Sequence, residues 1–364
     1  MLYLELNEQN ILTAAKMLSS GKLVAFPTET VYGLGCDAFN TAALARVFEA
    51  KKRPRFDPLI IHIASHDTLE RLVDFGRLSE DGRQRLAVLA RALWPGPLTL
   101  VLPKLKTVPD LATAGLGTAA VRFPAHAGAL RLITESTGAV AAPSANPFGY
   151  LSPTRAEHVR SQLGGAVDAI LDGGPADIGV ESTVLDVEAR RILRPGGVSR
   201  EAIEVLTGPL ADPQTAFDSG TDGAAAPSPG LLKNHYAPRK ELHLHTAEAM
   251  RRLSFSAGSA YLFFDRPSFK AFAEHNGLSR AVRANIFILS ERGSLNEAAA
   301  RLFDTLHRID ASPAVSIHAA LVPEAGIGAA INDRLSRAST RPYGFSQGIA
   351  VNLRDGAAAL QRQF

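Results

Sequence analysis

Four cationic side chains fall within five positions at residues 51–55, KKRPR, and the chain then passes through Asp57 and Pro58 into the apolar run LIIHI. Arginine presents a planar fork of N–H donors and lysine a point charge, so this cluster suits an anionic ligand, phosphate above all. A plainer reading competes with that one: cations at a helix C-terminus complement the macrodipole and face solvent. Pro54 and Pro58 stiffen the loop around Arg53 and Asp57, and His62 stands as one polar side chain in an otherwise apolar strand. A rigid cationic loop feeding such a strand makes a wall for an anion pocket.

Further polar clusters follow β-rich runs, where small-molecule sites of α/β proteins form. FPTETVYGLG carries Thr30, GTAAVRFPAH carries Thr118 and Arg122, APSANPFGYLSPT carries Ser144, Asn146, Ser152 and Thr154, and GVESTVLD carries Glu181, Ser182 and Thr183. Each alone reads as turn or cap chemistry; their recurrence is harder to explain that way. A P-loop and a full GxGxxG are absent, and AGLGT at 114–118 and GIGAA at 326–330 read as tight turns. Dispersed side chains and turn amides must therefore hold any phosphate. GxSxG is also missing, and nothing pairs Ser144 or Ser182 with a base. His243 and His245 share one face of a strand in LHLH without a further ligand cluster, and they read as solvent-facing rather than as a metal site.

The elements that must position these groups come next. The 364 residues suit two domains, and 46% hydrophobic with 21% charged residues is an ordinary globular composition. With 39 basic against 36 acidic residues the chain is no polycation, so any basic function is local. Cys36 is the single cysteine, which excludes an internal disulfide and a thiolate-rich zinc site. The N-terminus has Glu5 and Glu8 where a secretory signal needs basic and then apolar residues, and no run is long enough to span a membrane. A cytoplasmic location is expected.

Strands are expected at KLVAFP, LIIHIA, LTLVLP, AAVRFP, GAVAAPS, DAILDGG, STVLDV and RRILRPG, which implies an α/β sheet with mixed pairing. A helix is expected near 41–52, capped by Asn40 or Thr41 and ended by Pro54. Residues 1–206 form one domain, 207–239 a linker and 240–364 a smaller α/β domain with strands at ELHLH, SAYLFF and NIFILS and helices at LNEAAARLFDTLHRID and AAINDRLSRAS.

Taken together, FPTETVYGLGCDA, KKRPRFDPLIIHIA, LWPGPLTLVL, AAVRFPAH, APSANPFGYLSPT, GVESTVLD and LRPGG resemble, in order and spacing, the threonylcarbamoyl-AMP synthases, the YrdC-like proteins. SPGLLKNHYAP at 228–238 and the second domain resemble the longer form of that family. The resemblance implies a YrdC-like twisted mixed sheet with helices, a smaller Rossmann-like C-terminal domain, and a nucleotidyltransferase making threonylcarbamoyl-AMP and pyrophosphate from L-threonine, bicarbonate or carbon dioxide, and ATP. ATP is a substrate, with magnesium held mainly by its phosphates. The product would serve tRNA threonylcarbamoyl transferase proteins that modify adenosine next to the anticodon.

Carried over residue by residue, Thr30, His62, Arg122, Ala142 and Ser182 look like the threonine pocket. Arg53, Asp57, Thr118, Ser144, Asn146, Ser152, Arg194, His235 and Tyr236 look like the ATP side, with Lys51 and Arg53 assisting the chemistry. Asp57 departs from the family pattern, which more often has Asn there. SPGLLKNHYAP is expected to act as a lid bringing His235 and Tyr236 to the nucleotide, against the alternative that it docks the domains together. Two other readings stay open: an RNA-binding module gripping phosphate backbone, which a weak tRNA contact alongside catalysis would also fit, and a carbamoyl-transfer enzyme on the same fold.

Overall fold

A computed structural model describes residues 1–211, 236–278 and 285–339. The first unit is a ten-stranded mixed sheet of β1 (Leu2–Glu5), β2 (Val24–Phe26), β3 (Gly33–Asp37), β4 (Ile60–Ile63), β5 (Leu98–Pro103), β6 (Thr118–Arg122), β7 (Ala139–Ala141), β8 (Ala169–Asp172), β9 (Thr183–Asp186) and β10 (Arg191–Arg194). Their spatial order is β1-β8-β2-β3-β7-β4-β6-β5-β9-β10. Every expected strand forms. β1 and β3 had no expectation attached, and GLGCD of β3 shows why: its glycines hide the strand pattern. A Cβ on Gly35 would lie 2.8 Å from the Phe26 ring and 2.9 Å from Val140, so the phenylalanine lies directly on the bare backbone.

Period-2 alternation sorts the strand residues onto two faces. Leu23, Ala25, Ala139, Ala141, Ile170, Ile61, Leu100 and Val121 point into one continuous core. Helices α2 (Thr41–Lys51), α3 (Glu80–Leu93), α6 (Ala156–Leu163) and α7 (Arg200–Thr207) pack there, with the short α4 (Asp110–Thr113). On the opposite face, α1 (Glu8–Ser19) and α5 (Ala127–Glu135) cover Val24, Phe26, Val140 and Leu171. That second helical layer stops halfway. Over β4, β6, β5 and β9 it leaves a small apolar floor of Ile60, Val101, Ala120 and Val184, flanked by polar side chains.

The expected helix at 41–52 is α2, with the Asn40 side chain accepting from Ala43 N at 3.1 Å. Lys52 turns into the left-handed region at φ 51° and ends it before Pro54. Ala114 and Gly115 in AGLGT, and Gly326 in GIGAA, also have positive φ, as tight turns require.

The second unit is a four-stranded parallel sheet of β11 (Glu241–His245), β12 (Ser259–Asp265), β13 (Ile286–Ser290) and β14 (Ser316–Ala320), ordered β11-β14-β12-β13. Helices α8 (Ala247–Arg252) and α9 (Arg266–His275) cover one face through Met250 and Phe272. Helices α10 (Leu295–Asp310) and α11 (Gly328–Ala338) cover the other through Leu302, Leu306, Ile331 and Leu335. His243 and His245 correct the solvent-facing expectation. They are half-buried beside β14, with His245 Nε2 3.0 Å from His318 Nδ1. The strand SIHAA, not anticipated, supplies that neighbour. Among the described residues no cluster of three or more His, Cys, Asp or Glu could hold a metal ion. Nor is any described helix long and apolar enough to cross a membrane.

The α10/α11 core does not end at the second unit. It includes Val31, Leu151 and Val180 from loops of the first, each contributing roughly 1.5–3 kcal/mol on burial, and Tyr236 between the units. Part of the expected linker is ordered too: Arg190 donates to Pro209 O at 2.6 Å and Arg200 to Ala211 O at 2.9 Å. Beyond the undescribed residues, Ala237 N donates to Gly149 O at 2.8 Å and Arg239 N to Asp310 Oδ1 at 2.9 Å.

The backbones of the two units approach closely at Gly179, with φ +78°, where a Cβ would lie 2.3 Å from Ala299 O and 2.5 Å from Ala300 Cα. Gly179→Ala is therefore expected to destabilise the protein by about 2–4 kcal/mol, combining overpacking with left-handed strain. Urea unfolding of the full chain checks this; an unchanged midpoint would show that α10 does not rest on this glycine.

Candidate active site

The half-covered sheet face holds the site. His62 on β4 lies in register with Arg122 on β6, and Arg122 with Thr99 on β5, so three polar side chains stand in a row across the sheet. Thr99 Oγ1 lies 2.7 Å from the Ser182 hydroxyl just before β9, extending the row. All four are buried. The loop of residues 27–30 closes one side: Arg122 Nη1 donates to Thr30 Oγ1 at 2.8 Å, and Nη2 donates to Glu29 Oε1 at 2.6 Å. Each terminal nitrogen of a guanidinium carries two hydrogens, so Arg122 keeps donors for an incoming acceptor. Glu29 Oε2 is buried and has no hydrogen-bond partner.

His62 stays neutral. Burial, and then the charge of Arg122, push its pKa down to about 3. Its Nδ1 lies 3.2 Å from Ile60 O, which fits an N–H there and leaves Nε2 as an acceptor. Burial raises the Glu29 carboxyl, but Arg122 outweighs burial and holds it below its ordinary range.

On the other side stand more guanidinium groups. Arg194 donates from Nη2 to Ser182 O at 2.9 Å and to Ser182 Oγ at 3.2 Å. Arg53 donates from Nη2 to Pro58 O at 2.8 Å and from Nε to Asp57 O at 3.1 Å, and Nη2 lies 2.8 Å from Asp57 Oδ2. That last contact is a charge pair without hydrogen-bond alignment, so both carboxylate oxygens of Asp57 lack a donor. Burial raises the Asp57 pKa, with Arg53 opposing. An Asn at this position would not pair with Arg53 as a charge.

One cavity is lined by Thr30, His62, Arg122, Ala142 and Ser182, the whole set read as the threonine pocket, together with Arg53, Ser144, Arg194 and Tyr236 from the ATP set. The remaining candidates stand outside its lining. Lys51 is buried behind it, donating to Ser144 O at 2.5 Å and to Asn146 O. Burial, and then Arg53, push its pKa well below the ordinary lysine value. This lysine holds the 144–146 backbone rather than presenting its charge. Asn146 donates to Pro147 O and Tyr150 O, both at 2.9 Å, and shapes the same loop. Ser152 donates to Glu181. Thr118 begins β6, at the far end from Arg122, opposite Pro103. His235 lies outside the described residues.

Tyr236 combines the two roles weighed for its segment. It lines the cavity, yet it is fully buried in the core of the second unit, with its ring 5.8 Å from that of Phe303. Its φ of 67° is uncommon for a non-glycine residue.

Sequence reading assigned no role to Glu29, Thr99, Glu181 or Arg334. Thr99 offered the signal that marked His62, a polar residue inside an apolar strand. Arg334 offered none: it sits on α11, about 150 residues from Glu181, and donates to Glu181 Oε2 at 2.7 Å.

The units also meet at an imidazole pair, His158 of α6 stacked on His307 of α10 at 4.0 Å, with Asp304 and Asp310 nearby. The fold and site thus define an α/β protein with an arginine-lined pocket, against whose edge a second domain packs.

Comparison with known proteins agrees with that class. Residues 16–196 match the Sua5/YciO/YrdC family model, described as telomere recombination, and residues 198–340 match the threonylcarbamoyl-AMP synthase C-terminal domain. The chain is 41% identical to the threonylcarbamoyl-AMP synthase of Pyrococcus abyssi, over 92% of this chain and 95% of that protein. It is 39% identical to that of Bacillus subtilis, over 92% and 94%. The crystal structure of P. abyssi Sua5 complexed with L-threonine superposes with a TM-score of 0.80 at 38% identity, covering 93% of this chain and 98% of that one. The chain belongs to the threonylcarbamoyl-AMP synthase family, in its two-domain Sua5 form.

The imidazole seam generates a pH prediction. Burial, and then the neighbouring His158, lower the His307 pKa to about 4, whereas an unfolded imidazole titrates near 6.5. Between those values the unfolded chain binds more protons, so this contribution is complete above about pH 6.5 and is lost as pH falls toward 4. It amounts to on the order of 2 kcal/mol by pH 5. The melting temperature of the full chain should fall over that range, and His307→Gln should flatten the fall. Equal slopes for the two proteins would remove His307 from the seam's energetics.

Proposed function

We propose that the cavity is where L-threonine, carbon dioxide or bicarbonate, and ATP are joined into threonylcarbamoyl-AMP with release of pyrophosphate. The observation that carries this reading is the pairing of two different polar walls in one pocket. One, made by Arg122, Thr30 and His62, suits a small amino acid. The other, made by Arg53 and Arg194, suits phosphates. Arg122 would fork onto the threonine carboxylate, while Thr30, Ser182 and neutral His62 offer partners to its hydroxyl and amine.

The neutral threonine amine attacks carbon dioxide and loses a proton to water, forming an anionic carbamate. A carbamate oxygen then attacks the α-phosphorus, the bond from that phosphorus to the bridging oxygen breaks, and pyrophosphate carries the electron pair away. Two anions must approach for this step, and Arg53 and Arg194 offset their repulsion. No covalent nucleophile is needed, so Ser144 and Ser182 act by positioning. Lys51, Asn146 and Ser152 support the same wall from behind, and Tyr236, with His235 beside it in sequence, lies on the nucleotide side. Thr118 is left as a contact of the outer nucleotide end.

Magnesium would arrive on the ATP phosphates, because Asp57, Glu29 and Glu181 already face arginines. Residues 1–206 supply the catalysis, 207–239 join the domains and 240–364 form the accessory domain. The labile adenylate would pass to proteins that transfer threonylcarbamoyl to tRNA.

Pyrophosphate release should require ATP, L-threonine and bicarbonate together, and omission of any one should abolish it. Turnover without threonine, or with carbamoyl phosphate instead, would favour a carbamoyl-transfer enzyme. Salt-sensitive RNA binding without turnover would favour an RNA-binding module. Within the synthase, Arg122→Lys keeps the charge but loses the fork, so the threonine KM should rise about tenfold or more while the ATP KM moves much less. Equal losses for both substrates would remove Arg122 from the threonine carboxylate.

A further inference from the structure

One side chain of the second domain touches two residues that line the pocket. Arg334 of α11 is fully buried and donates from Nε to Glu181 Oε2 at 2.7 Å and from Nη2 to Pro195 O at 3.0 Å. Its guanidinium carbon lies 4.8 Å from the centre of the Tyr236 ring. Glu181 and Tyr236 both line the cavity, and Glu181 also accepts from Ser152. Pro195 directly follows Arg194 in the sequence. One guanidinium from the second domain therefore touches the Glu181 carboxylate, the chain beside Arg194 and the face of Tyr236 on the nucleotide wall.

Charge explains why this placement matters to binding as well as packing. Glu181 is an acid at the wall where phosphates must come, and without a cation it would repel them at low dielectric. A buried ion pair contributes little net stability, but removing one partner leaves an uncompensated charge and is costly. Asp333, partly exposed, is a second acid on Arg334, 2.5 Å from Nη1, and shares the guanidinium with Glu181. The threonine wall of Arg122, Thr30 and His62 has its own carboxylate, Glu29, and has no contact with Arg334.

Resting on the synthase reading above, we propose that Arg334 is a positioning residue for ATP: by neutralising Glu181 and backing Tyr236 it makes ATP affinity, and not threonine affinity, depend on the docked second domain.

The test uses the full chain with Arg334→Met, Glu181→Gln and the double variant, with separate KM values for ATP and threonine from pyrophosphate release. Calorimetric titration with a non-hydrolysable ATP analogue and with threonine provides a second readout. Arg334→Met should raise the ATP KM about tenfold or more and leave the threonine KM within about twofold. Adding Glu181→Gln should recover most of that loss, because the uncompensated charge is gone. A purely structural arginine would weaken both substrates alike, and the double variant would be no better than Arg334→Met; either result overturns the proposal, as does an unchanged ATP KM.

If Arg334→Met fails to fold, Glu181→Gln alone decides the matter. It removes one negative charge from the nucleotide wall, Arg334 keeping Asp333, and should tighten analogue binding while sparing threonine. Looser or unchanged analogue binding would overturn the idea. Should the wild-type chain show no threonine-dependent pyrophosphate release, the synthase reading fails by itself, and the analogue titrations still report whether Arg334 governs the nucleotide wall.

Discussion

Burying several guanidinium groups around one cavity is the constraint on which the rest of this structure depends. A charged side chain taken out of water costs several kcal/mol unless a partner and hydrogen bonds replace its hydration. Arg122 has Glu29 and Thr30, Arg53 has Asp57 and the carbonyls of 57 and 58, Arg334 has Glu181 and Pro195 O, and Arg194 lies on Ser182. These partners come from different loops of the first domain, and one of the arginines, Arg334, comes from the second. The loops must therefore be fixed before the charges are tolerable, and much of the fold serves that purpose. Lys51 ties residues 144 and 146, Asn146 ties 147 and 150, and the backbone of 237 ties residue 149.

The sheet makes room for this arrangement by being covered unevenly. Along β2, β7 and β8 both faces meet helices, and their residues are apolar except for Asp172 at the end of β8. Along β4, β6, β5 and β9 one face meets helices and the other carries His62, Arg122 and Thr99 among a few small apolar side chains. The alternation that buries Ile61, Val121 and Leu100 on one side necessarily turns those polar neighbours to the other. Second-domain packing on Val31, Leu151 and Val180 then closes the edge of the bay.

That pattern also decides what could be read from sequence. Strands with β-branched and leucine-rich runs were legible, as was His62, because a polar residue at the open-face parity of an apolar strand has a local signature. Thr99 carried the same signature and went unused, since threonine is also an ordinary strand former. The five residues proposed for the threonine wall came from motif resemblance, and they share one cavity. Lys51 misled, because its charge in the sequence said nothing of the two carbonyls that hold it behind the wall. Arg334 and the partner of His243 and His245 could not be found locally. Each depends on a contact between segments far apart in the chain, made only once the second sheet is assembled.

The pairing of charges also bears on how the pocket treats a triphosphate. Among the described residues, Arg53, Arg122, Arg194 and Arg334 face four acids, Glu29, Asp57, Glu181 and the partly exposed Asp333, so the cationic charge is largely balanced. Lys51 is turned to the carbonyls of residues 144 and 146 rather than to the cavity. On the proposed reading, a pocket balanced in this way would attract a polyanion chiefly through oriented donors. Such a balance also suits release. A strongly positive cavity would hold pyrophosphate and the adenylate after reaction, whereas here the arginines have internal carboxylates and carbonyls to return to when the anions leave. The acids beside the arginines thus serve two states, making the buried cations tolerable in the empty enzyme and limiting how tightly the products are kept.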